Sequence, residues 1–173
     1  MTHCGVLGIK QRDKMTKNLR VGLGFDVHKF SSKKRELKLG GVVIPSPVSL
    51  EAVSDGDLLL HAVCDAICGA CLLGDIGDYF PPSSKDSKNI DSKKIVEFVL
   101  KKISKRFKIV NMDITLISEK PKLVSHKKKI INSLKAIFGI KNINLKIKSK
   151  EGLDILGSKK AMSCFALALM EKK

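Results

Sequence analysis

Apolar and polar residues alternate most strictly over Leu19–His28, LRVGLGFDVH. Read as a strand, this segment puts Leu19, Val21, Leu23, Phe25 and Val27 on one face and Arg20, Gly22, Gly24, Asp26 and His28 on the other. Beyond a polar loop, Ser31–Arg35, the run Glu36–Ile44 (ELKLGGVVI) reads as a second strand stopped by Pro45 and Pro47. Leu58–Leu73 is a long apolar stretch after Ser54-Asp55-Gly56-Asp57. It predicts a helix capped by Ser54, with Asp57 as the acidic partner three residues on, and ended by Gly74. Asp75-Ile76-Gly77-Asp78 and Pro81-Pro82-Ser83-Ser84 mark a long loop. The spacing of Ile95, Val96, Val99, Leu100 and Ile103 predicts a helix capped by Ser92 and running to about Phe107. Asn111–Ser118 alternates as a strand, Lys127–Phe138 as an amphipathic helix closed by Gly139, and Asn142–Ser149 as a strand with Ile143, Leu145 and Ile147 inward. Ala161–Met170 is apolar throughout and fits either a buried strand or a helix.

Strands that alternate with helices in 173 residues imply one domain, an α/β sandwich with helices on one face of a sheet. The other face then needs cover, and a homo-oligomer is its natural source. With no Trp and one Tyr, the core is mainly aliphatic. Residues 1–18 read as an N-terminal extension, disordered or a start-site artefact, and residues 19–173 as the single domain. The opening residues lack the apolar region of a secretory signal, and no apolar run reaches membrane-span length. The extension is short and does not support plastid import.

Cys64, Cys68 and Cys71 fall on one stripe of the predicted helix among Ala, Val, Ile and Leu, which reads as buried thiols rather than a metal site. Five cysteines in no disulfide-like pattern suggest a reducing cytoplasm. The net charge of +16 attracts polyanions: nucleic acid, anionic membrane or a phosphorylated metabolite. The charge is mostly Lys scattered along helix faces, and no recognition helix, zinc finger or stacking motif accompanies it. The reading is therefore no nucleic acid and no membrane.

Three features converge on chemistry. Asp26 and His28 share a strand face cleared by glycines, which suits two ligands of one divalent metal or an acid/base pair. His61 lies one turn into the predicted helix, and Asp75-Ile76-Gly77 follows it. Two imidazoles and a carboxylate suit Zn²⁺ with a fourth position open, and the same set serves non-haem iron. Asp55, Asp57 and Asp65 are candidates to orient the histidines. Singly, each motif has a structural reading as a chance pair, a helix cap or a buried histidine. Only the set argues for function. His3 and His126 lie in polar segments and receive no role.

The runs GFDVHKF, LGGVVIP, SDGDLLLHA, LGDIGDYFP, EKPKL and KSKEGL, in this order from about Leu19 onward, resemble the 2-C-methyl-D-erythritol 2,4-cyclodiphosphate synthases of the non-mevalonate isoprenoid pathway. The resemblance implies an α+β fold: a mixed β-sheet with helices packed on one face, the sheets meeting around a homotrimer axis. It implies an intramolecular reaction in which 4-diphosphocytidyl-2-C-methyl-D-erythritol 2-phosphate cyclises and releases CMP. It places zinc on Asp26, His28 and His61, and Mg²⁺ or Mn²⁺ with the diphosphate near Glu151. The substrate would meet Val27, Ser54 and the segment Asp75, Ile76 and Gly77. The cytosine would be held in a neighbouring subunit by Ser118, Pro121, Lys122, Leu123 and Val124, with Lys148, Ser149 and Lys150 completing the nucleotide-phosphate site.

The chain departs from that pattern at four places. Val53 stands where the family has a catalytic His, Ser149 where it has a Thr that orients the β-phosphate, Ser158 where it has an Arg, and Pro82 where it has an Asp. The implied metal ligands are all present, so an active enzyme is expected. The alternative is a weakened relative that binds cytidine nucleotide or isoprenoid phosphate without efficient turnover. Lys148 and Lys150 would replace part of the missing positive charge.

Overall fold

The computed structural model describes residues 18–32, 35–153, 156 and 160–173. The N-terminal extension, Asn18 excepted, lies outside these residues, as does Ser158. In chain order the elements are β1 (Leu19–Ser31), β2 (Leu37–Leu39), β3 (Val42–Ile44), β4 (Ser49–Leu50), α1 (Leu58–Ala70), α2 (Ser92–Ile103), β5 (Phe107–Ile117), α3 (Lys127–Phe138), β6 (Ile143–Lys148) and β7 (Ala161–Lys172).

Five strands form one sheet in the order β4-β1-β7-β5-β6, and β2 and β3 form a separate hairpin. β5 and β6 are parallel, joined by the α3 crossover, while the other pairings of the large sheet are antiparallel. The sheet is mixed and the fold is α+β. Registers align Gly24, Ala166, Ile114 and Leu145 in one row across the sheet, with Gly22, Ala168, Met112 and Ile143 beside it. This face meets the helices: α1 covers β1 and β7, α3 covers β6, and α2 packs on α1. The residue type matches the cover, with glycine and alanine beneath α1 and larger aliphatics farther out.

Among the described residues, the opposite face carries no helix. Val21 (67% exposed), Leu23 (63%), Phe25, Val27 and Leu167 lie open on it, and the Phe25 and Phe165 rings stack at 4.7 Å. Toward β6 it turns polar, with Asp113 bonded to Lys146 and Asn144. The alternation of β1 therefore reverses the usual sense: its glycine-bearing face is inside and its apolar face outside.

Several sequence expectations need correction. Glu36–Ile44 is not one strand. It folds back at Gly40 and Gly41, whose φ values of +61° and +75° only glycine adopts without strain. α1 is capped by Asp57, which accepts the Leu60 N–H at 3.1 Å, while Ser54 accepts from Gly56 instead. α1 ends at Ala70, where Leu72 turns left-handed (φ +58°), before Gly74 is reached. Asp91, not Ser92, caps α2, and α2 stops at Ile103 because Phe107 already starts the buried strand β5. α3 spans the predicted residues and ends on left-handed Gly139. The ambiguous run from Ala161 is a strand, apolar on both faces because β7 lies between two others. No helix among the described residues is long and apolar enough to cross a membrane.

Candidate functional site

The site begins with what glycine permits. A Cβ on Gly24 would lie 1.9 Å from the Ala62 carbonyl oxygen, and one on Gly22 2.0 Å from that of Ala66. α1 thus rests directly on the β1 backbone, presenting Ala62, Ala66 and Ala70. His61, adjacent to Ala62, is carried to the end of β1 where Asp26 and His28 emerge. His61 Nδ1 lies 3.1 Å and His28 Nε2 2.9 Å from the same oxygen, Asp26 Oδ2. One donor atom from each residue falls within 4.8 Å of the others, the one such group among the described residues. Asp26 Oδ1 is occupied by the Val27 N–H.

The outer bonds decide where the protons are. His28 Nδ1 sits 2.6 Å from the Glu51 carbonyl oxygen, which only accepts, so Nδ1 carries hydrogen and Nε2 offers its lone pair to Asp26. His61 Nε2 bonds Ser92 Oγ at 2.9 Å, leaving Nδ1 toward Asp26. Two imidazole lone pairs and a carboxylate oxygen therefore converge, an arrangement that holds only around a cation or around added protons. Burial raises the Asp26 carboxyl, but hydrogen bonds from His28 and His61, and their charge, reverse this and hold it at about 2. Burial lowers His28, and the Asp26 bond and charge outweigh it, so the imidazole titrates above its ordinary value. Tetrahedral zinc holds such atoms roughly 3.3 Å apart, close to the 2.9 and 3.1 Å from each imidazole to Asp26, and the N, N, O set suits it. The residues fit the ion.

These ligands open onto a cavity of about 340 Å³ bounded by His28, Ala52, Val53, Ser54, His61, Ile76, Gly77, Phe80, Pro82, Ser87, Ile90 and Ile95. Of the residues named from sequence, Val53, Ser54, Ile76 and Gly77 thus join the metal group. Asp75 is exposed beside the cavity, its carboxylate accepting the Asp78 N–H. Asp65 does not orient a histidine. It accepts the Ile76 N–H at 2.8 Å and so sets the Ile76–Gly77 wall. Asp57 is fully inside, accepting from Gly40, Gly41 and Leu60, and ties the β2–β3 hairpin to α1.

Ser118, Pro121, Lys122, Leu123, Val124 and Lys148–Glu151 form a second group around the ends of β5 and β6. Ser118 N–H bonds the Lys148 carbonyl at 3.0 Å, and Glu119 accepts the Lys150 N–H at 2.6 Å. Ser149 donates to Glu151, whose backbone is left-handed (φ +51°). Lys122, Val124, Lys148 and Glu151 are exposed, while Leu123 is buried. The Lys150 ammonium is buried and donates to the carbonyls of Leu156 and Ala161. This group stands at the same end of the sheet as the metal group but two strands away at the β5 end and three at the β6 end, roughly 10–14 Å at about 4.8 Å per strand.

Sequence reasoning missed Ser92, the Glu51 carbonyl, and the apolar walls Phe80, Ile90 and Ile95. Apart from Phe80, which lies in the LGDIGDYFP run, no motif marks them. Ser92 did stand out as a candidate cap, and its hydroxyl is free for His61 because Asp91 takes the capping role.

A metal-competent trio built from the C-terminal half of β1 and the first turn of α1, facing a cavity on the helix side of a mixed sheet, defines a small α+β protein with a candidate metal centre. The sequence model of the YgbB family matches residues 19–171, and the chain belongs to that family. It is 40% identical over 158 residues, 90% of this chain and 99% of the relative, to the 2-C-methyl-D-erythritol 2,4-cyclodiphosphate synthase of Francisella philomiragia. Its fold is similar to that of the bifunctional IspDF of Campylobacter jejuni (TM-score 0.83, 33% identity, 90% of this chain and 42% of that one). It is similar too to the CDP complex of IspF from Plasmodium falciparum (TM-score 0.77, 34% identity, 90% and 97%).

Proposed function

We propose that this chain is a phosphorus–oxygen lyase that converts 4-diphosphocytidyl-2-C-methyl-D-erythritol 2-phosphate to the 2,4-cyclodiphosphate and CMP. The single observation that carries the proposal is the convergence of Asp26, His28 and His61 on one point at the mouth of a cavity, in a YgbB-family chain. The bond formed joins the 2-phosphate oxygen to the β-phosphorus. The bond broken releases CMP as the leaving phosphate. Nucleophile and electrophile share one molecule, so the protein's task is to fold the substrate for in-line attack and screen its charge.

Asp26, His28 and His61 would hold Zn²⁺, and Glu151 would help hold Mg²⁺ or Mn²⁺ with the diphosphate; bound there, the ions would supply Lewis acidity at phosphoryl oxygens. The Val27 backbone, the Ser54 hydroxyl and the wall from Asp75 to Gly77 would orient the erythritol phosphate. Phe80, Ile90 and Ile95 exclude water beside the reacting groups. Ser118, Pro121, Lys122, Leu123 and Val124 would hold cytosine, with Lys148 and Ser149 on the nucleotide phosphates. Lys150 enters as a buried clamp for that loop. Val53 puts an apolar side chain at the cavity rim.

Two features support reading the protein as a homotrimer. The open apolar face of β1 and β7 needs cover. The nucleotide group lies two to three strands, roughly 10–14 Å, from the metal group of its own chain, which suits service to a neighbour. Four buried free thiols, Cys64, Cys68, Cys71 and Cys164, favour a cytoplasmic location. The test is direct: purified protein, the cytidylated substrate and Mg²⁺ should release CMP together with the cyclic diphosphate. Intact substrate after metal reconstitution would refute the assignment.

A further inference from the structure

Ser92 stands between a candidate metal ligand and a carboxylate. His61 Nε2 lies 2.9 Å from Ser92 Oγ, and Ser92 Oγ lies 2.5 Å from Asp55 Oδ1. That carboxylate oxygen also accepts the Ser92 N–H at 3.2 Å, and Asp55 Oδ2 meets Lys38 Nζ at 3.4 Å. A hydroxyl has one hydrogen to donate and an ionised carboxylate only accepts, so the Ser92 proton goes to Asp55. Ser92 Oγ is then an acceptor toward His61, and His61 Nε2 must carry hydrogen. The imidazole lone pair falls on Nδ1, the nitrogen 3.1 Å from Asp26 Oδ2.

We propose that Ser92 and Asp55 are positioning residues of the metal centre: they lock His61 in its Nε2–H tautomer and ring orientation, so that Nδ1 is the atom that binds the ion. The proposal rests on reading Asp26, His28 and His61 as metal ligands. Neither Ser92 nor Asp55 bounds the cavity, so their effect is transmitted through His61. Ser54 Oγ, 3.4 Å from the same nitrogen, is the weaker partner and is itself engaged by the Gly56 N–H. The two histidines are thus oriented by different devices. His28 relies on a backbone carbonyl that no substitution removes, whereas His61 relies on two side chains. Lys38 is the cation that faces the other oxygen of this carboxylate.

The experiment titrates Zn²⁺ alone, against a competing chelator, into the full chain as wild type, Ser92→Ala, Ser92→Thr and Asp55→Asn. A wild type that takes up no zinc overturns the metal reading itself. With wild-type binding established, Ser92→Ala should bind zinc about 10–100-fold more weakly, the range for losing an outer partner of a ligating histidine. Ser92→Thr, which keeps the hydroxyl, should restore it. Asp55→Asn offers Ser92 an amide N–H, frees the hydroxyl to donate to Nε2, and should also weaken binding. The visible spectrum of the Co²⁺ form should change in Ser92→Ala and Asp55→Asn but not in Ser92→Thr. Wild-type zinc affinity with an unaltered Co²⁺ spectrum in Ser92→Ala and Asp55→Asn would overturn the proposal. So would an affinity loss shared equally by Ser92→Thr, or one that merely follows a lowered melting temperature of the metal-free protein.

Discussion

At the scale of single residues, protonation and metal binding compete for the same lone pairs. The folded-state value of His28 is raised above 6.5, so in the metal-free protein its pairing with Asp26 stabilises fully below about pH 6.5 and is lost as the pH rises through the raised value. Asp26 acts in the opposite direction: its contribution is present above 3.8 and is lost as the pH falls toward about 2. Metal-free protein should therefore be most resistant to urea at mildly acid pH. Zinc affinity should instead climb between about pH 6 and 8, since the ion needs His28 Nε2 without its proton. Parallel urea melts and zinc titrations across that range check both signs. His61→Ala should lose zinc and activity yet keep its fold by circular dichroism, because the cavity beside it is already open. Lys148 is exposed beside the Ser149–Glu151 turn, and Lys148→Met should raise KM for the substrate severalfold with kcat little changed. An unchanged KM would end the idea that it compensates for charge missing at Val53 and Ser158.

At the scale of elements, the contact between β1 and α1 determines whether a site exists. Only glycine at position 24 lets the Ala62 carbonyl approach, and the same approach brings His61 to Asp26. Gly24→Ala must push α1 outward, at a cost of about 1–3 kcal/mol or more for overpacking. It should reduce zinc affinity along with stability, measured by urea unfolding and chelator competition on one sample. Asp57 joins elements in another way, satisfying the N–H groups of Gly40, Gly41 and Leu60 from a buried position. Asp57→Ala loses a helix cap and leaves buried donors unpaired, a destabilisation on the order of 3 kcal/mol.

At the scale of the whole molecule, charge and apolar surface divide the sheet's open face. Its β5–β6 side is polar, and its β1–β7 side exposes Val21, Leu23, Phe25 and Leu167. If copies meet there, Leu23→Asp should yield monomers in sedimentation velocity while the metal trio, on the helix side of the sheet, still binds zinc. Activity should fall with assembly, because the nucleotide and metal groups of one chain lie two to three strands apart. A trimer that survives this substitution would move the interface elsewhere.

Much of this was legible in the chain. Alternation located β1, β5 and β6, the 3.6-residue period located α2 and α3, and a long apolar stretch behind acidic cap residues located α1, with α3 defined to the residue by Gly139. The pairing of Asp26 with His28 follows from strand geometry alone, since i and i+2 side chains share a face. Other features depended on partners distant in sequence. Whether apolar residues of β1 face in or out depends on what α1 presents, and Ala62, Ala66 and Ala70 selected the glycine side. The Gly-Gly turn was hidden within an apolar run because local pattern does not distinguish a continuous strand from a tight hairpin. Lys150 turned inward because backbone carbonyls of a later loop, Leu156 and Ala161, were placed to receive it. Ser92 reaches His61, 31 residues earlier, only after two helices pack. Periodicity is a local property and can be read along the chain; the direction of a hydrogen bond between distant residues exists only once folding has brought its partners together.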